Sequence, residues 1–296
     1  MDQPAFSAPD FVVAGHVTSD LIHGERRPGG TASYAAAVAV ALGLRVAVVT
    51  SAPPSPLLPP EQLGAAVYRL PAADQTVMEH RTIAGRREQY LRSRAETLSC
   101  AELPPAVQQA PVVLFGPVVW EVETSFVRAF PRALRGATLQ GWLRRPGANG
   151  HIDAVDPHEW DARALLPALD AAFLSEDDLA LPPRARAALL NRWAAQVRLL
   201  AVTRGAAGAD LAVGGRWYAI GAMPANEVDS TGAGDAFAAA FLIRYHEAAD
   251  PDEAARFAGA VASFVVEAPG ATGAPRREQA LARMRANPAV RLRPKT

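Results

Sequence analysis

Residues 229–237 read Asp-Ser-Thr-Gly-Ala-Gly-Asp-Ala-Phe, and an alanine-rich run follows them to residue 246. The two glycines leave the chain without bulky side chains directly before a helix-forming segment. Successive backbone N–H groups are therefore exposed at a helix N-terminus, where unpaired donors and the helix dipole favour an anion. The stretch predicts that a helix starts beside an anion pocket and that Asp235 lies in its first turn.

An aspartate beside an anion pocket has two interpretations. Transfer of a phosphoryl group needs donors that hold charge on the phosphoryl oxygens and a carboxylate that accepts an alcohol proton. The alternative is a tight Gly-Ala-Gly turn with Asp235 as an ordinary helix residue, and this would be preferred for a bare Gly-x-Gly. Two acidic residues, Asp229 and Asp235, around an all-small core make the stretch more specific and favour phosphoryl transfer.

The rest of the chain alternates short apolar runs with helix-forming segments. This alternation predicts an α/β fold with a doubly wound, mostly parallel sheet flanked by helices. The predicted strands cover residues 11–15, 45–51, 112–116, 137–141, 171–175 and 199–203. The predicted helices cover residues 31–42, 183–196, 234–246 and 251–267.

Residues 75–91 follow a different pattern, because apolar and polar residues alternate on both sides of Ala84-Gly85. The alternation predicts a hairpin with one face in water, which fits poorly in a buried parallel sheet. The hairpin is either a small lid over a site or an ordinary edge hairpin. We interpret residues 1–296 as a single domain with a small β lid from about 16–28 and 75–93.

Charge and composition exclude several classes of function. The formal net charge is zero, which argues against nucleic acid or an anionic membrane as a partner. Lys295 is the only lysine, which excludes a Walker-type phosphate loop and Schiff-base chemistry. The histidines lack paired metal-ligand spacing, and no Gly-x-Gly-x-x-Gly follows the first strand, which disfavours a metal hydrolase and an NAD enzyme.

The single cysteine and the N-terminus bear on location. Cys100 has no partner for an intramolecular disulfide, so a reducing cytoplasm is expected, and a lone thiol usually behaves as a small hydrophobe. The N-terminus lacks the basic and apolar regions of a signal peptide. The apolar stretch 32–50 is interrupted by Gly43 and Arg45, which predicts a buried helix, a turn and a buried strand.

The sequence resembles the ribokinase-like family of carbohydrate kinases, also called the PfkB family. Its signature reads Asp-Thr-x-Gly-Ala-Gly-Asp, and residues 229–235 depart from it by one serine. The resemblance extends over most of the chain, with Asp20 after the first strand and Gly29-Gly30 opening a helix. Residues 202–208, Val-Thr-Arg-Gly-Ala-Ala-Gly, look like the nucleotide-side motif, and Pro269-Gly270-Ala271 looks like the loop beside the adenine.

The resemblance implies a role for each matching residue. Asp235 would be the base, and the N–H groups of Gly232, Ala233 and Gly234 would form the anion hole. ATP would be the donor and would bind with Mg²⁺. A monovalent cation such as K⁺ would bind near Asp229. The protein would form a homodimer through the lid. The implied contacts are Asp20, Gly29 and Gly30 for the substrate, and Ser175, Thr203, Gly205, Gly208, Thr231 and Gly270 for the nucleotide.

Two departures from the family pattern matter. Ribose-specific members carry an asparagine in the first turn of the helix after the glycine pair, and Tyr34 occupies that place here. Tyr34 would either bring a flat apolar face into the substrate pocket, which argues against ribose, or point into the core and carry no information on the substrate. The acidic Asn-x-x-Glu motif reads Ser-Glu-Asp-Asp at 175–178, where Glu176 or Asp178 would orient magnesium-bound water or simply cap the next helix.

Three further residues follow predicted strands: Glu121, Gln140 and Arg144. Ligands of open α/β sheets collect at the carboxyl ends of strands, so we expect these side chains to contact the substrate. With Gly-His-Val-Thr-x-Asp at 15–20, they make the chain similar to myo-inositol kinase-like members. The predicted activity is ATP-dependent phosphorylation of a hydroxyl on a small sugar or polyol.

Two alternatives remain open. The first is a nucleoside or sugar-phosphate kinase of the same family. A phosphate on the substrate would need a basic cluster in the pocket, which Arg81, Arg86, Arg87 and Arg92 on the predicted lid could supply, although a solvated basic hairpin is the preferred interpretation of these arginines. A non-catalytic sugar- or nucleotide-binding regulator would be marked by loss of the base or of the glycines, and both are present.

Overall fold

Strands and helices alternate along the chain in the computed structural model, which describes residues 8–56, 58–83, 86–99 and 103–295. The tip of the predicted hairpin at Ala84-Gly85 and the lone Cys100 lie outside the described residues. The strands are β1 Phe11–Ala14, β2 Thr18–Ile22, β3 Glu25–Gly29, β4 Val46–Ala52, β5 Ala66–Pro71, β6 Val77–Ile83, β7 Arg86–Ser93, β8 Val112–Phe115, β9 Leu134–Thr138, β10 Arg144–Pro146, β11 Ile152–Ala154, β12 Ala171–Ser175, β13 Leu199–Thr203, β14 Ala209–Val213, β15 Arg216–Ile220 and β16 Arg293–Pro294. The α-helices are α1 Thr31–Ala41, α2 Pro59–Gln62, α3 Pro105–Gln108, α4 Ala162–Leu165, α5 Pro183–Ala194, α6 Ala233–Ala248, α7 Pro251–Val265 and α8 Arg277–Ala286.

One large sheet has the strand order β16-β15-β14-β13-β12-β9-β8-β1-β4-β5. All pairs from β13 to β5 are parallel, and the pairs from β13 to β16 are antiparallel. The predicted doubly wound, mostly parallel sheet is therefore confirmed. Because parallel neighbours end at one edge of a sheet, the carboxyl ends of β9, β12 and β13 bring Thr138, Ser175 and Thr203 to the same side.

The sheet is buried on both faces, as parallel sheets require. On β1, Val13 belongs to the apolar cluster that contains α1, α6 and α7. Its neighbour Val12 belongs to the opposite cluster, which includes Phe126 and Trp193. This two-sided burial explains why the strands read as continuous apolar runs in the sequence.

A separate four-stranded sheet has the order β3-β2-β6-β7. We call it the lid. In it, β2 pairs with β3 antiparallel and with β6 parallel, and β6 pairs with β7 antiparallel. Asp20, Arg27 and Met78 are register partners and so share one face, which we call the inner face. Glu79 and Arg81 belong to the other face, the outer face, by strand alternation.

Element boundaries differ most from the prediction at β9. The strand spans Leu134–Thr138 instead of 137–141, because residues 134–137 pair with residues 112–115 of β8, and Asp170 accepts the Arg135 N–H at 2.8 Å beside the strand start. After Thr138 the chain turns into a short 3₁₀ helix, Gln140–Trp142, and this turn places Gln140 beyond the strand end. The stretch 32–50 forms α1 and β4, and no helix among the described residues is long and apolar enough to cross a membrane.

Glu121 is not at the pocket surface, which corrects the expectation that it contacts substrate. Its side chain is 0% exposed and accepts backbone N–H groups from Val118 and Val119, each at 2.7 Å, and from His16 at 3.1 Å. A carboxylate that satisfies three buried donors fixes the loop after β8 against the start of β2. We therefore assign Glu121 to holding these two loops together.

Replacing Glu121 with Ala should lower the free energy of unfolding by about 3 kcal/mol, because three buried N–H groups would lose their acceptor. Urea denaturation measures the change. The matched control is Glu123→Ala, since exposed Glu123 accepts only from Ser125 Oγ among its described contacts. A cost at Glu121 no larger than the roughly 0.5 kcal/mol expected for a surface site would contradict this role.

Candidate active site

The N-terminus of α6 is shaped by Gly232. This residue caps the helix with φ 78°, the left-handed region that favours glycine. A Cβ on Gly232 would lie 2.1 Å from Cδ1 of Tyr34, so no other residue fits here without movement. At Gly234 the nearest atom to such a Cβ is Thr203 Oγ1 at 4.0 Å, which leaves open space over the first turn. The helix start therefore offers N–H donors to a space that an anion can enter.

Asp235 lies in the first turn of α6, and Thr31 Oγ1 donates a hydrogen bond to its Oδ1 at 2.7 Å. Burial raises the pKa of Asp235 to about 6. The Thr31 hydrogen bond and the charge of Arg144 lower this pKa, while Asp178 and Asp20 raise it. A carboxylate with a pKa near 6 is mostly ionised at neutral pH and basic enough to accept a proton from an alcohol.

Thr31 begins α1 directly after the glycine pair. Gly30 has φ 80°, and Gly29, the last residue of β3, lies so close to β2 that a Cβ would meet Asp20 Oδ2 at 2.3 Å. The missing side chain at Gly29 thus lets β2 approach the start of α1. Thr31 was not identified from the sequence. Its position directly after Gly29-Gly30 was the available signal, but its contact with Asp235 depends on packing between distant segments.

On the inner face of the lid, Asp20 is 7% exposed. Its Oδ1 accepts from Thr18 Oγ1 at 2.6 Å, and its Oδ2 lies 3.1 Å from His80 Nε2. His80 Nδ1 lies 3.2 Å from the amide nitrogen of Gln89. The lid therefore holds Asp20 in a fixed polar network. His80 could not be selected from the sequence, because its pairing with Asp20 depends on the register of β2 against β6.

Gln140, Arg144 and Asp178 lie together on the other side of Asp235. Gln140 Nε2 donates to Asp178 Oδ1 at 2.9 Å, and an Arg144 guanidinium nitrogen lies 4.0 Å from the same oxygen. Asp178 Oδ2 also accepts the Ser175 N–H at 2.7 Å. Because Arg144 and Asp178 both act on the pKa of Asp235, the structure brings these predicted residues around Asp235.

Two predicted residues are placed elsewhere. Tyr34 is 5% exposed and its ring lies against Gly232, so it supports the helix start and does not present a free face to the pocket. Glu176 forms an ion pair with Arg186 of α5, so it does not join Asp178. Within the described residues, no group of three or more His, Cys, Asp or Glu side chains could hold a metal ion.

Asp229 connects the signature to the loop at Gly270. Its Oδ1 accepts the Thr231 N–H at 3.0 Å, and its Oδ2 accepts the Gly270 N–H at 3.1 Å. Both loops are thereby fixed beside the start of α6. The predicted nucleotide residues of the neighbouring strands also meet, since Ser175 and Thr203 are register partners at the ends of β12 and β13.

The turn after β13 contains the other two predicted nucleotide residues. Gly205 and Gly208 have φ 51° and 88°, and the Arg204 N–H donates to Gly208 O at 2.8 Å. This tight turn carries the backbone away from Thr203, whose Oγ1 is the nearest atom to the space over Gly234. The arrangement leaves a polar strand end beside the candidate anion site.

A cavity of about 430 Å³ separates the lid from the signature loop. His80 and Arg27 line it from the inner face of the lid, and Asp229, Thr231 and Pro269 line it from the other side. Its volume is in the range of small-molecule sites. The cavity is therefore bounded by the segments that carry the predicted substrate and phosphate contacts.

Comparison with known proteins gives consistent matches. A model of the pfkB family of carbohydrate kinases matches residues 100–277. A ribokinase of Bacillus subtilis (strain 168) is 33% identical over 123 residues, which are 42% of this chain and 36% of the ribokinase. A nucleoside kinase of Methanothermobacter thermautotrophicus is 51% identical over 51 residues, 17% of this chain and 16% of that protein. The chain thus matches about a third or less of these relatives' length.

Two similar solved structures cover nearly the whole chain. One is a pyrophosphate-dependent kinase in the ribokinase family complexed with a pyrophosphate analog and myo-inositol, with TM-score 0.75, 22% identity and coverage of 92% of this chain and 99% of the other. Another is Arabidopsis thaliana ribokinase complexed with ribose and ATP, with TM-score 0.73, 20% identity and coverage of 94% and 99%. At these identities the likeness establishes the fold.

Replacing Thr31 with Val should raise the pKa of Asp235 above its wild-type value, because the hydroxyl that stabilises the ionised carboxylate would be lost. Thr31→Ser keeps the hydroxyl and should leave the pKa near the wild-type value. Carboxyl ¹³C NMR titration of protein labelled at aspartate measures both variants, with the Asp235 signal assigned through Asp235→Asn. An equal pKa in the Val and Ser variants would mean that the hydrogen bond does not act on the Asp235 carboxylate.

Proposed function

The chain belongs to the pfkB family of carbohydrate kinases, and from this we propose that it transfers a phosphoryl group from ATP to a hydroxyl of a small neutral sugar or polyol. The observation that carries the proposal is the placement of Asp235. Thr31 Oγ1 donates a hydrogen bond to its carboxylate at 2.7 Å. Asp235 directly follows Gly234, where the space over the helix start is open. A proton acceptor and an anion site are thus adjacent, as phosphoryl transfer to an alcohol requires.

In the proposed reaction the acceptor hydroxyl lies between Asp235 and the anion site. Asp235 accepts the hydroxyl proton as the oxygen attacks phosphorus, and the N–H groups of Gly232, Ala233 and Gly234 hold charge on the phosphoryl oxygens. The pKa of about 6 supports this role, since the carboxylate is ionised at neutral pH before the acceptor binds.

The acceptor is proposed to be a neutral ring with several hydroxyls, such as an inositol or a hexose. Asp20, Gln140 and Arg144 supply both acceptors and donors around Asp235. Arg144 lies 4.0 Å from Asp178, so its charge is partly balanced within the site. Tyr34 does not enter this reasoning, because its ring packs on Gly232.

The sugar-phosphate alternative loses its support from the lid arginines. Arg81 and Arg92 both pair with Glu79 on the outer face, at 2.7 Å and 2.6 Å. Both guanidinium groups also contact the Tyr90 ring: the Arg81 and Arg92 guanidinium carbons lie 5.0 Å and 4.8 Å from its centroid. Arg81 lines the cavity, but both arginines are held by Glu79 and Tyr90, so their charge is poorly available to a phosphate of the substrate. The side chains of Arg86 and Arg87 lie outside the described residues.

The donor is proposed to lie between the start of α6 and the residues Thr203, Thr231 and Gly270. The open space over Gly234 fits a phosphate. Mg²⁺ is usually held by one or two carboxylates together with phosphates, so Asp178 fits as a carboxylate beside the donor even without a protein-only metal cage. When bound, Mg²⁺ would neutralise charge on the donor phosphates.

Two expectations stay predictions. Activation by K⁺ near Asp229 requires the cation to share oxygens that already accept two N–H groups. A homodimer through the lid also stays a prediction. Because one similar structure is a pyrophosphate-dependent kinase, pyrophosphate belongs beside ATP in any test of the donor.

The proposal is tested by measuring kcat/KM with ATP and Mg²⁺ across inositols, hexoses, pentoses and nucleosides in a coupled ADP-release assay. We expect a neutral cyclic polyol or hexose to exceed ribose by at least tenfold, about 1.4 kcal/mol, because buried polar groups left unpaired by a wrong ligand are costly. Ribose or a nucleoside as the best acceptor by tenfold would contradict the proposed substrate class.

Asp235→Asn is the matched catalytic control in that assay. It should lower kcat by about 10²–10⁴-fold, the range for a general base, while ATP affinity is retained. Wild-type turnover in the Asn variant would show that Asp235 is not the base and would favour a different assignment of the site.

A further inference from the structure

Phosphoryl transfer calls for positive charge near the donor, and lysine cannot supply it here. Lys295 is the only lysine of the chain, and its ammonium group pairs with Asp210 at 2.6 Å beside the far edge of the sheet. Arg144 sits at the base and lies 4.0 Å from Asp178. If a side chain adds positive charge to that of Mg²⁺ at the donor, it is another arginine within reach of the start of α6.

Arg27 is such an arginine. It lies on β3 as the register partner of Asp20, on the inner face of the lid, and it lines the cavity of about 430 Å³ together with Thr231. Thr231 directly precedes Gly232, the cap of α6. The described ion pair of Arg27 is with Glu25, two residues earlier on the same strand, at 3.0 Å. Exposed pairs of this kind contribute about 0–1 kcal/mol, so a phosphate can replace Glu25 at little cost.

Arg81 lines the same cavity but is held differently. Its guanidinium Nε donates to Glu79 at 2.7 Å and its guanidinium carbon lies 5.0 Å from the centre of the Tyr90 ring. Arg27 has no comparable cluster among the described residues, and its strand faces the pocket. Of the two lid arginines at the cavity, Arg27 is the one whose charge can move to a ligand.

We propose that Arg27 is a catalytic residue whose guanidinium contacts the phosphoryl group during transfer, from the lid side of the cavity; this rests on the proposed function. In the step, the acceptor O–H bond breaks and its proton passes to Asp235. The new O–P bond forms as the bond between the γ-phosphorus and the bridging oxygen of ATP breaks, and that electron pair leaves with ADP. Arg27 stabilises the charge on the non-bridging oxygens, opposite the N–H donors of α6.

The neighbouring Arg26 provides a matched control. It is the register partner of Leu21, so its side chain belongs to the outer face, where a guanidinium nitrogen donates to Ser19 Oγ at 3.1 Å. Arg26→Gln and Arg27→Gln remove the same charge from the same exposed strand. They differ only in the face of the lid from which the charge is lost.

The test compares wild type, Arg27→Gln, Arg27→Lys and Arg26→Gln with the best acceptor. Arg27→Gln should lower kcat by about 100-fold, as expected for loss of a group that stabilises transition-state charge, with acceptor KM changed less than about threefold. Arg27→Lys should fall in between, and Arg26→Gln should stay within about twofold of wild type. A kcat for Arg27→Gln within threefold of wild type, or an equal loss in Arg26→Gln, would overturn the proposal.

A binding measurement separates this proposal from the proposed function. Calorimetric titration of the full chain with a non-hydrolysable ATP analogue and Mg²⁺ needs no turnover. Affinity should fall about tenfold in Arg27→Gln and remain unchanged in Arg26→Gln. That result supports the Arg27 site even if no acceptor is phosphorylated. Equal affinity of the two variants overturns the site even if the kinase activity is established.

Discussion

The hydrogen bond from Thr31 to Asp235 joins two helix starts that lie more than two hundred residues apart in the chain. It is 2.7 Å long, and it fixes the carboxylate at the first turn of α6, while the glycine pair directly before α1 connects that helix to the lid strand β3. Both helix starts need a nearby glycine, because a side chain at that position would collide with a neighbouring residue. Gly232 is pressed against Tyr34, and Gly29 is pressed against Asp20. The pocket can exist only where these small residues let three segments approach one another.

Burial, a hydrogen bond and the neighbouring charges set the protonation state of Asp235. Burial, Asp178 and Asp20 favour the protonated carboxyl, while Thr31 and Arg144 favour the carboxylate. The balance gives a pKa of about 6, so the carboxylate is mostly ionised at neutral pH and still basic enough to accept a proton. The polar groups that surround Asp235 are also those proposed to bind the acceptor. Binding a neutral polyol would therefore replace water without adding a charge that disturbs this balance.

Much of this arrangement could be predicted from the sequence, for physical reasons. Strands β12 and β13 match their predicted bounds, because a strand buried on both faces leaves a continuous apolar run. The signature at 229–235 predicts a helix start because the small residues that permit it are adjacent in the sequence. Glu121 and Tyr34 were expected at the substrate from their local sequence positions. Both serve packing instead, because their partners come from distant segments. Thr31, His80 and Arg27 were missed because strand register and helix packing create their contacts.

The most direct measurement is ³¹P NMR of a mixture of the protein, ATP, Mg²⁺ and the best acceptor. Phosphoryl transfer to a ring hydroxyl predicts a new phosphate-monoester signal, coupled to a ring C–H proton, that grows in equal amount with ADP. Formation of ADP and inorganic phosphate without a monoester would mean that water is the acceptor. An unchanged ATP spectrum with every acceptor would contradict the kinase assignment of this site.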